Sequence, residues 1–138
     1  MGQHDFFPVL LTPDMVSRVH DSVLNPGEVQ GLAGGKSLDG ALARVETRVM
    51  YGEVDDAASL AAAYAMAVAR GHCFNDGNKR TAYRVMSLVL WLNGAGRPGL
   101  GTVEETGDLI IETAKGALDE AGLAARLRSS ASGPEIPA

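Results

Sequence analysis

The sequence predicts an all-α fold, a compact bundle of about six helices that forms a single domain over residues 1–138. Apolar residues recur at helical spacing in successive segments, and capping or stop residues bound these segments. No segment alternates polar and apolar residues for long, so any strands should be confined to a short hairpin in the loops. A chain of 138 residues can also bury one hydrophobic core without disulfides or a structural metal.

The first predicted helix begins after Thr12, which acts as N-cap, with Pro13 in the first turn. The loop that follows it, residues 25–35, contains Pro26 and four glycines and has no periodicity. Its length suits a lid or a substrate-docking flap. A plain connector between helices explains the composition equally well.

The second and third helices have different surfaces. The second begins at Asp39, is amphipathic and ends near Tyr51. The third covers residues 58–70, follows Asp56 as its cap and is nearly all small or apolar. A helix of this composition must be buried on most sides, as the central helix of a bundle is.

Three more helices follow. Residues 78–93 have a wide apolar face, which predicts a second buried helix. Thr102 and Glu105 form a capping box at the start of the fifth. The last helix covers residues 119–127, and the Ser-, Gly- and Pro-containing segment 129–138 is expected to be a disordered tail.

Composition and charge exclude several classes of protein. The net charge of −5 argues against nucleic acid as a direct partner, which requires a clustered basic face. The longest apolar stretches, 61–69 and 85–92, are too short to span a bilayer, and the N-terminus lacks the features of a signal peptide. We therefore expect a cytoplasmic protein without a membrane partner. The lone Cys73 cannot form an internal disulfide and is expected to be a small buried apolar side chain.

A polar segment, residues 72–80, joins the two most apolar helices. Polar groups are costly to place between apolar helices, and such conflicts tend to mark functional sites. The backbone N–H groups around Gly77 and Asn78 lie at a helix N-terminus, where the helix dipole favours an anion. Gly77 allows a ligand to approach the backbone, and Lys79 and Arg80 add positive charge. The segment therefore predicts a phosphate site.

Two further side chains would complete a set for phosphoryl transfer. Asp76 offers a hard oxygen ligand for Mg²⁺, which usually binds one or two carboxylates together with substrate phosphates. His72, with an ordinary pKa near 6.5, could accept a proton from a hydroxyl and act as general base. Phosphoryl transfer needs little covalent help from the protein, so these groups would be sufficient.

Each of these residues also has a structural interpretation. Asp76 could be the N-cap of the fourth helix and pair with Arg80. His72 could be a partly buried histidine, Asn78 a partner of the preceding loop, and Lys79 a solvated charge. Their coincidence between two apolar helices favours a functional site.

Arg70, His4 and His20 lie outside the motif. Arg70 is either a further phosphate ligand or a charge that complements the end of its helix, and we favour the second interpretation. His4 and His20 have no matching cluster and are expected at the surface. No Cys or His spacing typical of zinc is present in the sequence.

The string HCFNDGNKRTA resembles the signature of the Fic/Doc family, H-x-F-x-[D/E]-[G/A]-N-[K/G]-R, and specifically its Doc branch, in which lysine replaces a glycine. The similarity extends to the Pro-containing first helix, to residues 43–51 and to Ala69-Arg70-Gly71 directly before the histidine. It covers roughly residues 9–128, which would form the core of the domain. The sequence departs from the Doc pattern at Gly77, where Ala often stands, and at Cys73, where an aliphatic residue or Pro is usual.

The resemblance implies about six helices, with the motif at the junction of two central ones and a flap over the nucleotide within residues 25–37. It also implies that His72 is the base, that Asp76 holds Mg²⁺, and that the motif binds the phosphates of ATP. The nucleotide-binding candidates in the motif are Asn75, Gly77, Asn78, Lys79 and Arg80.

Doc toxins transfer the γ-phosphate of ATP to a threonine of elongation factor Tu, and the resemblance implies that activity here. Fic enzymes with glycine at the position of Lys79 instead transfer AMP to a protein hydroxyl, which is the alternative activity. A third possibility, from another class, is a catalytically silent binding module of the same fold.

Many Fic proteins carry an inhibitory helix with the pattern [S/T]-x-x-x-E-[G/N], but no Glu of this chain is followed by Gly or Asn. The resemblance therefore implies control by a separate antitoxin. A Phd-like partner, with a disordered tail that folds on binding, would fill this role.

Overall fold

A computed structural model describes residues 6–28, 37–71 and 77–130 of the chain. The described residues contain helices and no strand. The helices are α1 (Pro13–Val23), α2 (Leu38–Met50), α3 (Ala57–Gly71), α4 (Asn78–Leu92), α5 (Val103–Ala114) and α6 (Glu120–Ser130). The all-α prediction is thus confirmed. Since α6 extends to Ser130, it includes the first two residues of the predicted tail.

The predicted caps are also present. The Thr12 hydroxyl accepts a hydrogen bond from the Met15 N–H at 3.1 Å at the start of α1. Thr102 and Glu105 form both hydrogen bonds of the capping box of α5. At the start of α3, Asp56 accepts a hydrogen bond of 2.8 Å from the Ser59 N–H. Arg128 of α6 binds the same carboxylate, and mainly for this reason the pKa of Asp56 falls to about 2.

The apolar helix α3 lies at the centre of the bundle, as its composition predicts. It packs against α2, α4, α5 and α6, and its most extensive contact is with α4. Its residues from Leu60 to Met66 are all buried. The small side chains of its alanines allow the neighbouring helices to approach closely. This central pair of helices, α3 and α4, is the pair that the polar motif joins.

A buried tyrosine of α3 fixes the segment before α1. The Tyr64 side chain has no exposed surface, and its hydroxyl accepts a hydrogen bond from the Leu11 N–H at 3.0 Å. Burial raises the pKa of Tyr64 above its usual value, because desolvation disfavours the phenolate. The bond satisfies a backbone donor at Leu11, which is itself 1% exposed.

Replacement of Tyr64 by phenylalanine is expected to lower the free energy of unfolding by about 1–3 kcal/mol, because it leaves the buried Leu11 N–H without its acceptor. Urea denaturation followed by circular dichroism would measure the change. Tyr51→Phe is the matched control, since Tyr51 is 77% exposed and the same deletion should leave stability nearly unchanged. Equal effects of the two substitutions would contradict a stabilising role for the hydrogen bond between the Leu11 N–H and the Tyr64 hydroxyl.

No helix among the described residues is both long enough and apolar enough to span a membrane.

Candidate active site

The motif that joins α3 and α4 is described from Gly77 onward. Residues 72–76, which include His72, Asn75 and Asp76, lie outside the described residues, as do His4, Cys73 and residues 29–36 of the predicted flap. Gly71 ends α3, and Gly77 is the N-cap of α4. Five residues therefore connect the two most closely packed helices of the bundle.

Gly77 adopts a left-handed conformation with φ +81°. A Cβ atom at this position would lie 3.3 Å from Leu24 Cδ2, 3.5 Å from Arg80 Nη2 and 3.6 Å from His20 Cδ2. Glycine is therefore favoured both by the backbone angle and by the surrounding side chains. Because Gly77 is the N-cap, the structural alternative that gave this role to Asp76 is wrong.

The N-terminus of α4 has features that favour an anion. Gly77 provides no side-chain cap, and the first turn of α4 contains no acidic residue. Asn78, Lys79 and Arg80 form that turn. Amide N–H groups of a first helical turn point out of the helix end, where the dipole favours a negative charge. The geometry is thus suited to an anion such as a phosphate.

His20 is buried, and the expectation of a surface position is wrong. Its exposed fraction is 1%, and it lies on the same face of α1 as the buried Val16, one helical turn earlier. The i, i+4 spacing from Val16 is the signal that could have identified this position. Its Nδ1 atom lies 3.5 Å from Asp21 Oδ1, and its ring borders Gly77. A second histidine is therefore next to the motif.

Arg80 connects the motif to the end of α1. Its Nε donates a hydrogen bond of 3.0 Å to the Val23 carbonyl, and its Nη2 donates to Glu28 Oε1. The Glu28 carboxylate also accepts from the Asn25 N–H at 2.7 Å. That backbone bond, and then the bond from Arg80, hold the pKa of Glu28 below its usual value. The ionised Glu28 carboxylate is therefore paired with Arg80, whose guanidinium was predicted from the sequence to bind phosphate.

Lys79, the neighbour of Arg80, is directed to α5. Its ammonium lies 2.9 Å from Asp108 Oδ1 and 4.0 Å from Glu104 Oε2. Its aliphatic chain covers Gly107, where a Cβ would lie 3.0 Å from Lys79 Cε. The hydrogen bond to Asp108 is the main reason that the pKa of Lys79 is raised, so the side chain stays charged.

Arg70 also contacts α5 and stands at the end of α3. Its Nη2 donates to the carbonyl of Thr113, in the last turn of α5, at 3.3 Å. A cation near the C-terminus of a helix complements the helix dipole. This contact agrees with the interpretation of Arg70 as a helix C-terminal charge, although the terminus that it binds belongs to a different helix.

The structure thus divides the described motif residues into two groups. Gly77 and Arg80 lie together at the end of α1, with His20 and Glu28. Lys79 reaches α5 instead. Among the residues that the structure describes, no group of three or more His, Cys, Asp or Glu side chains could hold a metal ion.

Comparison with known protein families gives a match that includes the helices α1 to α3 and most of α4. Residues 10–90, more than half of the chain, match the model of the Fic/DOC family. The chain belongs to the Fic/Doc family. It is also 33% identical over 119 residues to a protein of Escherichia phage P1 named Protein kinase doc, and the alignment covers 86% of this chain and 92% of that protein. The resemblance inferred from the motif is confirmed, and the six helices of the structure are consistent with the Fic/Doc fold.

Proposed function

We propose that this protein is a Doc-like toxin of a toxin–antitoxin module and acts as a protein kinase. It would transfer the γ-phosphate of ATP to a hydroxyl of a translation factor, elongation factor Tu, and so arrest translation in the cytoplasm. The observation that carries the proposal is the 33% identity to Protein kinase doc over most of both chains. Lys79, at the position where Fic enzymes have glycine, is consistent with the Doc branch.

The proposed mechanism assigns each step to a residue of the motif. His72 is the general base that takes the proton of the acceptor hydroxyl. The amides at the start of α4 and the Arg80 guanidinium stabilise the negative charge of the transferring phosphoryl group. The support for this second role is that Gly77 offers no side-chain cap to α4 and that Arg80 lies beside Gly77.

ATP would be the phosphoryl donor and Mg²⁺ its metal. Asp76 would hold the metal, and a single protein carboxylate is adequate because Mg²⁺ commonly takes its other ligands from phosphates and water. When bound, Mg²⁺ would neutralise charge on the phosphates. Arg70 is bound to α5 and fits a structural role better than a direct contact with ATP.

A Phd-like antitoxin is the partner proposed to control the activity. The support is the relationship to Protein kinase doc and the absence from the sequence of any Glu followed by Gly or Asn, which the inhibitory helix of many Fic proteins requires.

The decisive test is an assay of the purified protein with elongation factor Tu, Mg²⁺ and ATP, in which the intact mass of the target is measured. A gain of one phosphate is the expected result. A gain of AMP would replace the proposal with the Fic-type transferase. An unchanged target mass, under conditions where ATP binds, would reject elongation factor Tu as the substrate.

AMP transfer is the second candidate function, and Gly77 is the residue that favours it. The Doc pattern often has Ala at this position, whereas glycine is the Fic usage. The structure shows why glycine is preferred in this chain, since φ is +81° and Leu24 leaves little room for a side chain.

Lys79 is proposed to determine which phosphate is transferred. A lysine at this position adds volume and charge near the phosphate site, so ATP would bind with the terminal phosphoryl group in line with the acceptor. Replacement of Lys79 by glycine is therefore expected to shift transfer from phosphate toward AMP. Intact mass of the modified target measures the change. Unchanged phosphate transfer would refute the role.

Two controls separate this effect from a change in packing. Asp108→Asn removes the anion that binds the Lys79 ammonium but keeps the lysine, so it should still give phosphate transfer. Glycine inside a helix costs about 1 kcal/mol relative to alanine, so Lys79→Ala gives the same loss of the lysine with less loss of helix stability.

A further inference from the structure

A groove that runs along α4 is lined by arginine and aromatic side chains. It consists of two depressions that share Tyr83 and Arg84 as a common wall. One has a volume of about 460 Å³ and reaches Arg80. The other has a volume of about 440 Å³ and reaches Trp91 and Arg97. We call the combined feature the α4 groove.

The α4 groove is cationic in an acidic protein. Among the residues that the structure describes, its walls contain Arg84, Arg97 and Arg80, the last of which is paired with Glu28, and no Asp or Glu. The net charge of the chain is −5. Arg84 and Arg97 are exposed, and neither forms an ion pair with any residue that the structure describes. An arginine without a carboxylate partner is available to bind an anionic ligand, and its planar guanidinium suits a carboxylate.

The same groove offers apolar and aromatic contacts. Trp91 is 45% exposed and Val103 is 61% exposed, and Tyr83 is half-buried between the two depressions. Large exposed apolar side chains next to arginines are typical of protein-binding surfaces, where Trp, Tyr and Arg contribute most of the binding energy. Together these features favour a ligand that carries both negative charges and an apolar side chain.

The groove has the length of a short extended peptide. Arg80, Arg84, Ser87 and Trp91 are separated by four, three and four residues, so they lie along one face of α4. The distance from Arg80 to Trp91 is about 16 Å at 1.5 Å per helical residue, which is roughly five residues of extended chain. One end of the groove lies at the motif and the other end lies at Arg97.

We propose that the α4 groove binds an acidic, extended segment of the protein substrate that flanks the phosphorylated hydroxyl. The inference rests on the proposed kinase function and specifies its substrate. The acceptor residue lies at the Arg80 end, and one or more Asp or Glu residues about three to five positions away contact Arg84 and Arg97. An apolar side chain of the same segment packs against Trp91. A single-stranded nucleic acid is disfavoured, because the acidic protein as a whole would repel its phosphates.

A binding experiment with the full-length protein tests the groove without requiring catalysis. The probe is a fluorescein-labelled peptide with one serine, one phenylalanine and several Asp and Glu residues. The matched peptide has Asn and Gln in place of the acids. Fluorescence anisotropy is expected to show binding of the acidic peptide that weakens with salt, and binding of the neutral peptide that is weaker by about tenfold or more.

Charge reversal identifies the groove as the binding site. The double variant Arg84→Glu/Arg97→Glu should weaken binding of the acidic peptide by about tenfold or more, because like charges repel. Arg126→Glu is the control, since Arg126 is an exposed arginine of α6 that does not line the groove. Equal binding of the two peptides, unchanged binding by the double variant, or displacement of the peptide by a single-stranded oligonucleotide at lower concentration would overturn the inference.

Kinetic measurements test whether the groove contributes to phosphoryl transfer. They also distinguish a wrong assignment of the groove from a wrong assignment of the kinase function. If the target is phosphorylated, the double variant should raise KM for the protein substrate and leave kcat nearly unchanged. A fall in kcat at unchanged KM would overturn the docking role. The peptide-binding result decides the inference even if elongation factor Tu is not the substrate.

Discussion

Replacement of His72 by alanine is expected to slow phosphoryl transfer by about 10²–10⁴-fold, the usual contribution of a general base. His72 directly follows Gly71, the last residue of the central helix α3, and Gly77, the N-cap of α4, comes five positions later. The five-residue connection between α3 and α4 begins with this histidine, and the phosphate is proposed to bind at the N-terminus of α4. Single-turnover measurements with saturating ATP would report the chemical step itself.

The buried His20 makes a second histidine variant essential as a control. His20 borders Gly77, so proximity to the motif alone does not identify the base. Because His20 is 1% exposed within the α1 packing face, His20→Asn should mainly lower the free energy of unfolding. His72→Ala should instead slow transfer by about 10²–10⁴-fold in the folded protein. The reverse pattern, with His72→Ala active and His20→Asn folded but inactive, would move the role of base to His20.

The sequence was sufficient to predict the helices, because their determinants are local. Thr12 before Pro13, and Thr102 before Glu105, satisfy N–H groups within the first turn of their own helices, so three or four neighbouring residues decide where α1 and α5 start. The uninterrupted small and apolar residues of α3 likewise predict its burial. The specificity of the motif made the family predictable as well.

The partners of the site residues depend on tertiary structure and were not predictable in the same way. Arg80 contacts Val23 and Glu28, more than fifty positions earlier, and Lys79 contacts Asp108, 29 positions later. Successive helical residues point about 100° apart, so two adjacent cations of one motif reach different neighbouring helices. Sequence spacing treated both as parts of one phosphate cradle. The sequence alone does not show which helix lies on each side of α4, and this arrangement decides the partner of each cation.

Lys79 and Arg80 would therefore affect phosphoryl transfer in different ways. Lys79 is already neutralised by an exposed carboxylate on α5, so its effect on transfer would come as much from the volume of its side chain as from its charge. Arg80 borders Gly77 itself and is paired with Glu28, in the first residues of the predicted flap. An incoming phosphate would have to share this guanidinium with Glu28 or displace the carboxylate. We therefore expect the phosphate and the Glu28 carboxylate to compete for the Arg80 guanidinium.

Arg80→Ala is expected to reduce transfer by about 10²–10³-fold, the usual effect of removing one preorganised donor from a developing charge. It should also lower the free energy of unfolding by about 1 kcal/mol through loss of the hydrogen bond to the Val23 carbonyl. Arg80→Lys keeps the positive charge but not the planar fork, so it should recover only part of the activity. Initial rates as a function of ATP concentration, together with urea denaturation of each variant, would measure both effects.

Glu28→Gln separates the catalytic role of Arg80 from its structural role. The glutamine can still accept the hydrogen bond from the Asn25 N–H, but it no longer offers a charge that competes with phosphate for the guanidinium. KM for ATP should therefore fall by about a few-fold in this variant, opposite in direction to the effect of Arg80→Ala. If Glu28→Gln instead loses as much activity as Arg80→Ala, the ion pair acts by holding the turn after α1 in place. In that case the phosphate would be bound by the α4 amides and not by Arg80.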